Sequence, residues 1–179
     1  MIIFNLDNTL SNCEHRRHFV ESGIPHPTKE EAQEFMDNGC KWKPDWQAYN
    51  DSCEQDTPIQ PVVHLIQSLW VREGQEVEIW TGRTEEVRSE TEKWINKYLF
   101  SWQQGDIPKI KMRPIGDTTS DCQLKSKWLE ETYEETKWGR TTNVDFVFDS
   151  DPDSIKMFRS RGIFVFDCNQ GKDNENLHT

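Results

Sequence analysis

Met1-Ile-Ile-Phe-Asn-Leu-Asp-Asn-Thr-Leu10 is the stretch that decides how the rest of the chain reads. Met1 to Phe4 form a short apolar run with β-branched residues, the pattern of a buried strand. The run stops at Asn5, and polar side chains then alternate with Leu6 as far as Thr9. A buried strand that opens onto clustered oxygen groups is how open α/β sheets build their sites, at the carboxyl ends of the strands.

Outward from this stretch, strand and helix patterns alternate. Val77, Ile79 and Trp80 predict a second strand that runs into Thr81-Gly-Arg83, and Ile107 to Met112 a weak third. Val144 to Phe148 predict a fourth, ending at Asp149-Ser-Asp-Pro-Asp153, and Ile163 to Phe166 a fifth. Between them fall helical stripes. Val62, Val63, Ile66, Leu69 and Trp70 follow Pro61, which suits a first turn, and Gly74 closes that helix. A long amphipathic helix is expected from about Thr84 to Leu99. Another opens at the capping box Ser120-Asp-Cys-Gln123 and carries Leu124, Trp128, Leu129 and, at its end, Tyr133. A last helix runs to about Arg161. The alternation predicts an α/β fold, a doubly wound, mostly parallel sheet of five strands with helices on both faces.

Residues 1–179 suit one domain with enough length to bury a core. Ser11 to Asp56 breaks the alternation. From Gly23 to Asp56 the chain is polar, holds Pro25, Pro27 and Pro44, and has no strand-like run. Thr28-Lys-Glu-Glu31 fits a capping box for a short helix to about Asp37. Trp42, Trp46 and Tyr49 are spaced for one face of a second helix. Residues 11–56 therefore read as a small helical insertion over the site, and residues 169–179 as a frayed polar tail.

The chain carries a formal net charge of -11, with 30% charged residues. An acidic surface repels long phosphate chains, so a polyanion is disfavoured as the main ligand, while a mononucleotide or a nucleic-acid end held by a few local cations is not. No apolar run approaches the roughly 18 residues of a membrane span, and no secretory signal pattern is present. The five cysteines are scattered, odd in number and without a CxxC pair. That argues against a disulfide framework or a zinc site and for a reducing cytoplasm.

Four strand ends or nearby loops carry polar groups suited to phosphoryl chemistry. Thr81-Gly82-Arg83 offers a hydroxyl, a close backbone approach and amides at a helix start, which together make an anion site. Lys125, with Lys127 as its rival, lies near the start of the Ser120 helix, where an ammonium can stabilise a transferring phosphoryl group. Asp149, Asp151 and Asp153 repel one another unless a cation sits among them, and carboxylates with water and phosphate oxygens are a Mg²⁺ pattern. Asp151 and Asp153 are equally explained as helix caps, whereas Asp149 directly ends the strand. Arg16, Arg17 and His18 follow the first turn closely. Both a solvated face and a substrate-facing one account for them.

Asn5-Leu6-Asp7-Asn8-Thr9 resembles the Asp-x-Asp-x-Thr motif of the haloacid dehalogenase superfamily, with asparagine where that family has its nucleophile. Pro61-Val-Val-His64, Thr81-Gly-Arg-Thr-Glu-Glu-Val-Arg88, Thr91-Glu-Lys-Trp94, Met112-Arg-Pro-Ile-Gly-Asp117, Asp121-x-x-x-Lys125 and Met157-Phe-Arg-x-x-Gly162 extend the resemblance. Together they are similar to the phosphatase domain of bacteriophage polynucleotide kinase and its free-standing phage relatives, which would place the chain in a host cytoplasm. The resemblance implies that position 5 attacks phosphorus in line and that Asp7 is general acid and base. It implies that Thr81 and Lys125 bind phosphate, with Gly82 and Arg83 beside them. Mg²⁺ would sit on position 5, the Asp7 carbonyl and Asp149. The Asp121 to Lys125 spacing selects Lys125 over Lys127. The relatives carry a second acid directly after the one at Asp149. Here that position is Ser150, which leaves Asp153 to supply the remaining carboxylate.

A carboxamide is neutral and a poor nucleophile, so the Asn5 chain is expected to be inactive. An engineered replacement of an aspartate is the preferred account, because Asp7, Thr9, Thr81, Lys125 and Asp149 all remain. Natural loss of catalysis, leaving a nucleotide binder, is the rival. The implied substrate is a nucleotide phosphomonoester. Net charge tilts the choice toward free (deoxy)nucleoside monophosphates over a nucleic-acid 3′ end, with Trp46 a candidate stacking surface and Arg16 and Arg17 extra phosphate contacts.

Overall fold

The computed structural model describes residues 1–23, 28–37, 43–100, 107–137 and 139–169. The opening apolar run forms β1 (Ile2–Asn5), every residue of it buried. The chain then turns tightly. The Thr9, Leu10 and Ser11 amides all donate to the Leu6 carbonyl, at 3.2, 2.9 and 2.9 Å. Asn8 takes the left-handed conformation the turn requires, with φ 58°, a region asparagine enters more readily than most residues. This turn brings the Thr9 hydroxyl back beside Asn5.

Two short strands, β2 (Ser11–Asn12) and β3 (Thr57–Pro58), pair antiparallel and form the legs of the insertion. Between them lie α1 (Lys29–Asp37), α2 (Trp46–Asp51) and two 3₁₀ turns at Glu14–Phe19 and Ser52–Gln55. Trp42 of the expected second helix lies outside the described residues, and α2 itself starts at Trp46, capped by the Asp45 carboxylate.

From there the chain alternates as α3 (Gln60–Gln67), β4 (Val77–Thr84), α4 (Arg88–Tyr98), β5 (Lys109–Arg113) and α5 (Asp121–Glu130). A hairpin of β6 (Tyr133–Thr136) and β7 (Gly139–Thr142) intervenes before β8 (Phe146–Asp149), α6 (Pro152–Ser160) and β9 (Phe164–Asp167). The hairpin was not expected. Tyr133 belongs to β6 and not to the preceding helix, because the α5 pattern ends at Glu130. Thr81-Gly82-Arg83 also departs from expectation. It lies inside β4, at an irregularity in the pairing with β5 between Trp80 and Thr84, so the strand bends there and presents polar groups without ending.

The five long strands pair in parallel in the order β5-β4-β1-β8-β9, with β1 central. Strand direction is shared, so the carboxyl ends of β1, β4 and β8 meet at one rim. One face of the sheet buries Phe4, Val63, Ile66, Ile79, Trp94 and Phe148, and the other buries Trp80, Leu124, Trp128, Val147 and Phe158. Phe148 stacks between Phe4 and Phe166, with ring centroids 4.4 and 4.7 Å apart. No helix among the described residues is long and apolar enough to cross a membrane.

Phe148→Ala removes the middle ring of this stack, directly before the strand end that carries Asp149. Cavity formation in a packed core predicts a loss of about 3–5 kcal/mol, read as a lower urea midpoint with an unchanged slope.

Candidate active site

The rim where β1, β4 and β8 end opens into a cavity of about 1100 Å³ whose floor includes Asn5, Asp7, Gly82, Arg83 and Ser150. Asp7 accepts from two guanidinium groups and a hydroxyl. Arg16 Nη2 donates at 2.6 Å, Arg83 Nε and Nη2 at 2.9 and 2.7 Å, and Thr81 Oγ1 at 2.9 Å. Behind it, Asp56 accepts from Arg16 Nε and Nη2 at 2.8 and 2.7 Å and from Arg83 Nη2 at 2.5 Å. Arg16, Arg83 and Asp56 are all buried. Burial penalises the charged form of Asp7, but Arg83 and then Arg16 outweigh it and hold the carboxyl well below the usual carboxylate range.

Cys13 completes the group, its Sγ 3.1 Å from Asp7 Oδ1 and 3.4 Å from Asp56 Oδ2, with one S–H to donate between them. Burial first, then the Asp7 charge, pushes this thiol up, so it stays neutral and serves as a donor. Asp7, Cys13 and Asp56 lie close enough to share a metal ion. Two guanidinium groups already occupy that space, and the cluster is an ion-pair network.

Asn5 is joined to the second half of the site through hydroxyls. Its Nδ2 donates to the Asp7 carbonyl at 2.8 Å and to Thr9 Oγ1 at 3.4 Å. Thr9 in turn donates to Ser150 Oγ at 3.2 Å. Asp149 Oδ1 accepts the backbone N–H groups of Ser150 and Asp151 at 2.8 and 2.9 Å, while its Oδ2 accepts from Lys125 Nζ at 2.7 Å. Lys125 and Asp149 are both buried. Burial disfavours the ammonium, but Asp149 outweighs that cost and raises the Lys125 pKa. Burial also pushes Asp149 above its ordinary value, against the pull of Lys125.

With its N–H turned to the Asp7 carbonyl, Asn5 does not converge with that carbonyl as a second oxygen ligand. A hard cation needs converging oxygen acceptors. Here an amide N–H points at the Asp7 carbonyl, one of the groups the family resemblance gives to the metal. A carboxylate at position 5 would set acceptor against acceptor across that same 2.8 Å gap, an arrangement that calls for a cation.

Gly82 closes the cavity on the β4 side. A Cβ there would run into the Asp121 carboxylate. Arg113 holds this corner, donating to the carbonyls of Gly82 and Thr119 at 2.9 and 2.5 Å and pairing with Asp121. Asn5, Asp7, Thr81, Gly82 and Arg83 are thus brought together, with Lys125 and Asp149 packed behind them and Trp46 on the cavity wall.

The remaining expectations fare differently. Arg16 reaches the site, but through Asp7 and Asp56. Arg17 turns to Glu14 and Glu21. His18 is buried beside Phe19, with its Nδ1 3.1 Å from the His15 carbonyl. Asp153 is exposed in the first turn of α6, and Asp151 caps that helix through Ser154. Asp56 was missed, since a lone acid in a polar stretch carries no sequence signal. Only folding sets it against two arginines.

A central parallel sheet, doubly wound, with an oxygen-rich rim at the end of its middle strand, is the architecture of the haloacid dehalogenase phosphotransferases. The family described as the polynucleotide kinase PNKP phosphatase domain matches residues 44–172, and the chain belongs to it. The matched span excludes Asn5 to Thr9, so membership stands independently of the altered motif. No curated protein sequence matches the chain. Among solved structures, a chain of the Pnkp1/Rnl/Hen1 RNA repair complex superposes with TM-score 0.60 and 20% identity, covering 93% of this chain and 41% of that one. A Pnkp1/Rnl/Hen1 complex gives TM-score 0.60 and 21% identity over 93% and 45%. This chain thus spans less than half the length of those proteins. A magnesium complex of a haloacid dehalogenase family enzyme from Bacteroides thetaiotaomicron gives TM-score 0.48 and 13% identity over 98% and 96%.

Removing Asp56 leaves two buried guanidinium groups undercompensated. Asp56→Ala is expected to lose about 3–5 kcal/mol of stability, measured by chemical denaturation.

The depressed pKa of Asp7 also sets a pH dependence. The stabilisation is fully present above the unfolded-state value of roughly 4 and is lost as pH falls toward the folded-state value. The stability gap between the parent chain and Asp7→Asn should therefore be widest above about pH 5 and narrow steadily below about pH 4.

Proposed function

We propose that this chain is built as a Mg²⁺-dependent phosphomonoesterase acting on nucleotides. With Asn5 at the nucleophile position it binds such a substrate without turning it over. The observation that carries this reading is the meeting of Asn5, Asp7, Thr81, Lys125 and Asp149 at one rim, in a chain of the PNKP phosphatase family.

With an aspartate at position 5, its carboxylate attacks phosphorus in line and the ester oxygen leaves. The resulting aspartyl-phosphate is cleaved by water, which gives its proton to Asp7. Asp7 is suited to this second step, because its arginine partners keep it ionised. To donate a proton in the first step it must first release Arg16 and Arg83, for which the incoming phosphate competes. Thr81 and Lys125 hold the phosphoryl oxygens. Mg²⁺, on a carboxylate at position 5, the Asp7 carbonyl and Asp149, would offset the repulsion between the attacking carboxylate and the phosphate.

We read Asn5 as a replacement of an original aspartate. One observation favours the rival, a natural nucleotide binder: the Asn5 amide is well satisfied by the Asp7 carbonyl and Thr9. Asn5→Asp separates the two. The variant is expected to release inorganic phosphate from nucleotides in the presence of Mg²⁺, at a rate abolished by EDTA. A folded variant that releases none from any nucleotide or 3′-phosphorylated end supports the binder.

A further inference from the structure

We infer that the mouth of this cavity selects substrates carrying a single phosphate, free nucleoside monophosphates, and disfavours nucleic-acid ends. It does so through the exposed carboxylates Glu14 and Glu21 on its lining. The inference rests on the phosphomonoesterase reading and names the substrate class of that same site.

Size does not discriminate, since about 1100 Å³ admits a nucleotide or more. Charge does. Asp7, Glu14, Glu21, Asp117, Asp121 and Asp151 line the cavity, against Arg83 and Arg113. Both of these cations are already committed, Arg83 to Asp7 and Asp56, and Arg113 to Asp121. The next cation outward is Arg17, and Glu14 and Glu21 clamp it from both sides. Lys127 Nζ and Arg113 Nη1 lie 3.9 and 4.0 Å from Asp117, so that carboxylate is matched, and the surplus falls to Glu14 and Glu21. Among the described residues around the mouth, each of these cations therefore has a carboxylate partner, and the rim keeps a surplus of negative charge.

A monophosphate places its only dianion on the floor, and its base reaches the wall. There Trp46 is 60% exposed. Its ring meets Tyr49 edge-on at 5.7 Å, and Tyr49 packs 4.0 Å under the Arg16 guanidinium. The same Arg16 holds Asp7, so the aromatic wall is fixed relative to the floor. An oligonucleotide with its terminal phosphate on the same floor must thread its next phosphodiester past the rim carboxylates, where like charges repel. A cationic groove loses affinity for nucleic acid as salt rises. A repulsive rim gains it, because salt screens the repulsion.

Equilibrium binding to the Asn5 chain tests this without catalysis. The probes are 3′-dTMP, 5′-dTMP and a 3′-phosphorylated hexathymidylate at 20 and 200 mM NaCl, followed by tryptophan fluorescence. The better mononucleotide should bind at least tenfold tighter than the oligonucleotide at low salt, and oligonucleotide affinity should rise with salt. Glu14→Gln/Glu21→Gln, altering two exposed carboxylates and freeing Arg17, should strengthen oligonucleotide binding at least tenfold and by several-fold more than it strengthens mononucleotide binding. Oligonucleotide binding that is equal or tighter, or that weakens with salt, overturns the inference, as does binding of neither ligand. Phosphate release from p-nitrophenyl phosphate by Asn5→Asp is measured in parallel. Turnover there without discrimination sinks the selectivity alone, whereas no turnover on any ester sinks the reading beneath it.

Discussion

Two carboxylates and two guanidinium groups, Asp7, Asp56, Arg16 and Arg83, pack against one another where the sheet meets the insertion, Asp7 half-buried and the other three buried. Asp7 comes from the turn after β1, Arg83 from β4, and Arg16 and Asp56 from the two ends of the insertion. None of the four tolerates burial without the others, because an unpaired charge in this interior is far costlier than a paired one. The quartet therefore fixes the insertion over the rim as firmly as apolar packing would. It also decides the protonation state of the one carboxylate in the floor that the family resemblance makes an acid and base.

The second constraint is the direction of the sheet. Parallel strands bring β1, β4 and β8 out at one edge, and each ends or bends in polar residues there. The consequence for Asn5 is specific. Its amide donates to a backbone carbonyl within its own loop and to Thr9, so the asparagine is an internally satisfied residue.

Charge is distributed unevenly between floor and mouth. The cations of the floor are buried and matched one for one, while the exposed carboxylates Glu14 and Glu21 share the single Arg17 on the cavity lining. Long-range electrostatics then acts on what approaches, and hydrogen bonding acts on what has arrived.

The alternation of apolar runs with amphipathic stripes made the parallel sheet legible, because strand and helix periods are local properties of the chain. The capping box at Ser120 and the proline at the head of α3 were legible for the same reason. So were the strand-end polar residues Asn5, Asp7, Thr81 and Asp149, since they adjoin apolar runs. What the sequence did not determine was pairing. Arg16 and Arg17 are adjacent and alike, yet one is buried on Asp7 and Asp56 and the other is held at the mouth by Glu14 and Glu21. Asp56 carried no local mark at all. The β6–β7 hairpin and the irregularity in β4 at Thr81 were not read from the sequence either. Sequence alone therefore determined the sheet, the family resemblance and the identity of the residues at its rim. Only the tertiary structure decided which charges meet, because burial energy depends on partners brought together from distant parts of the chain.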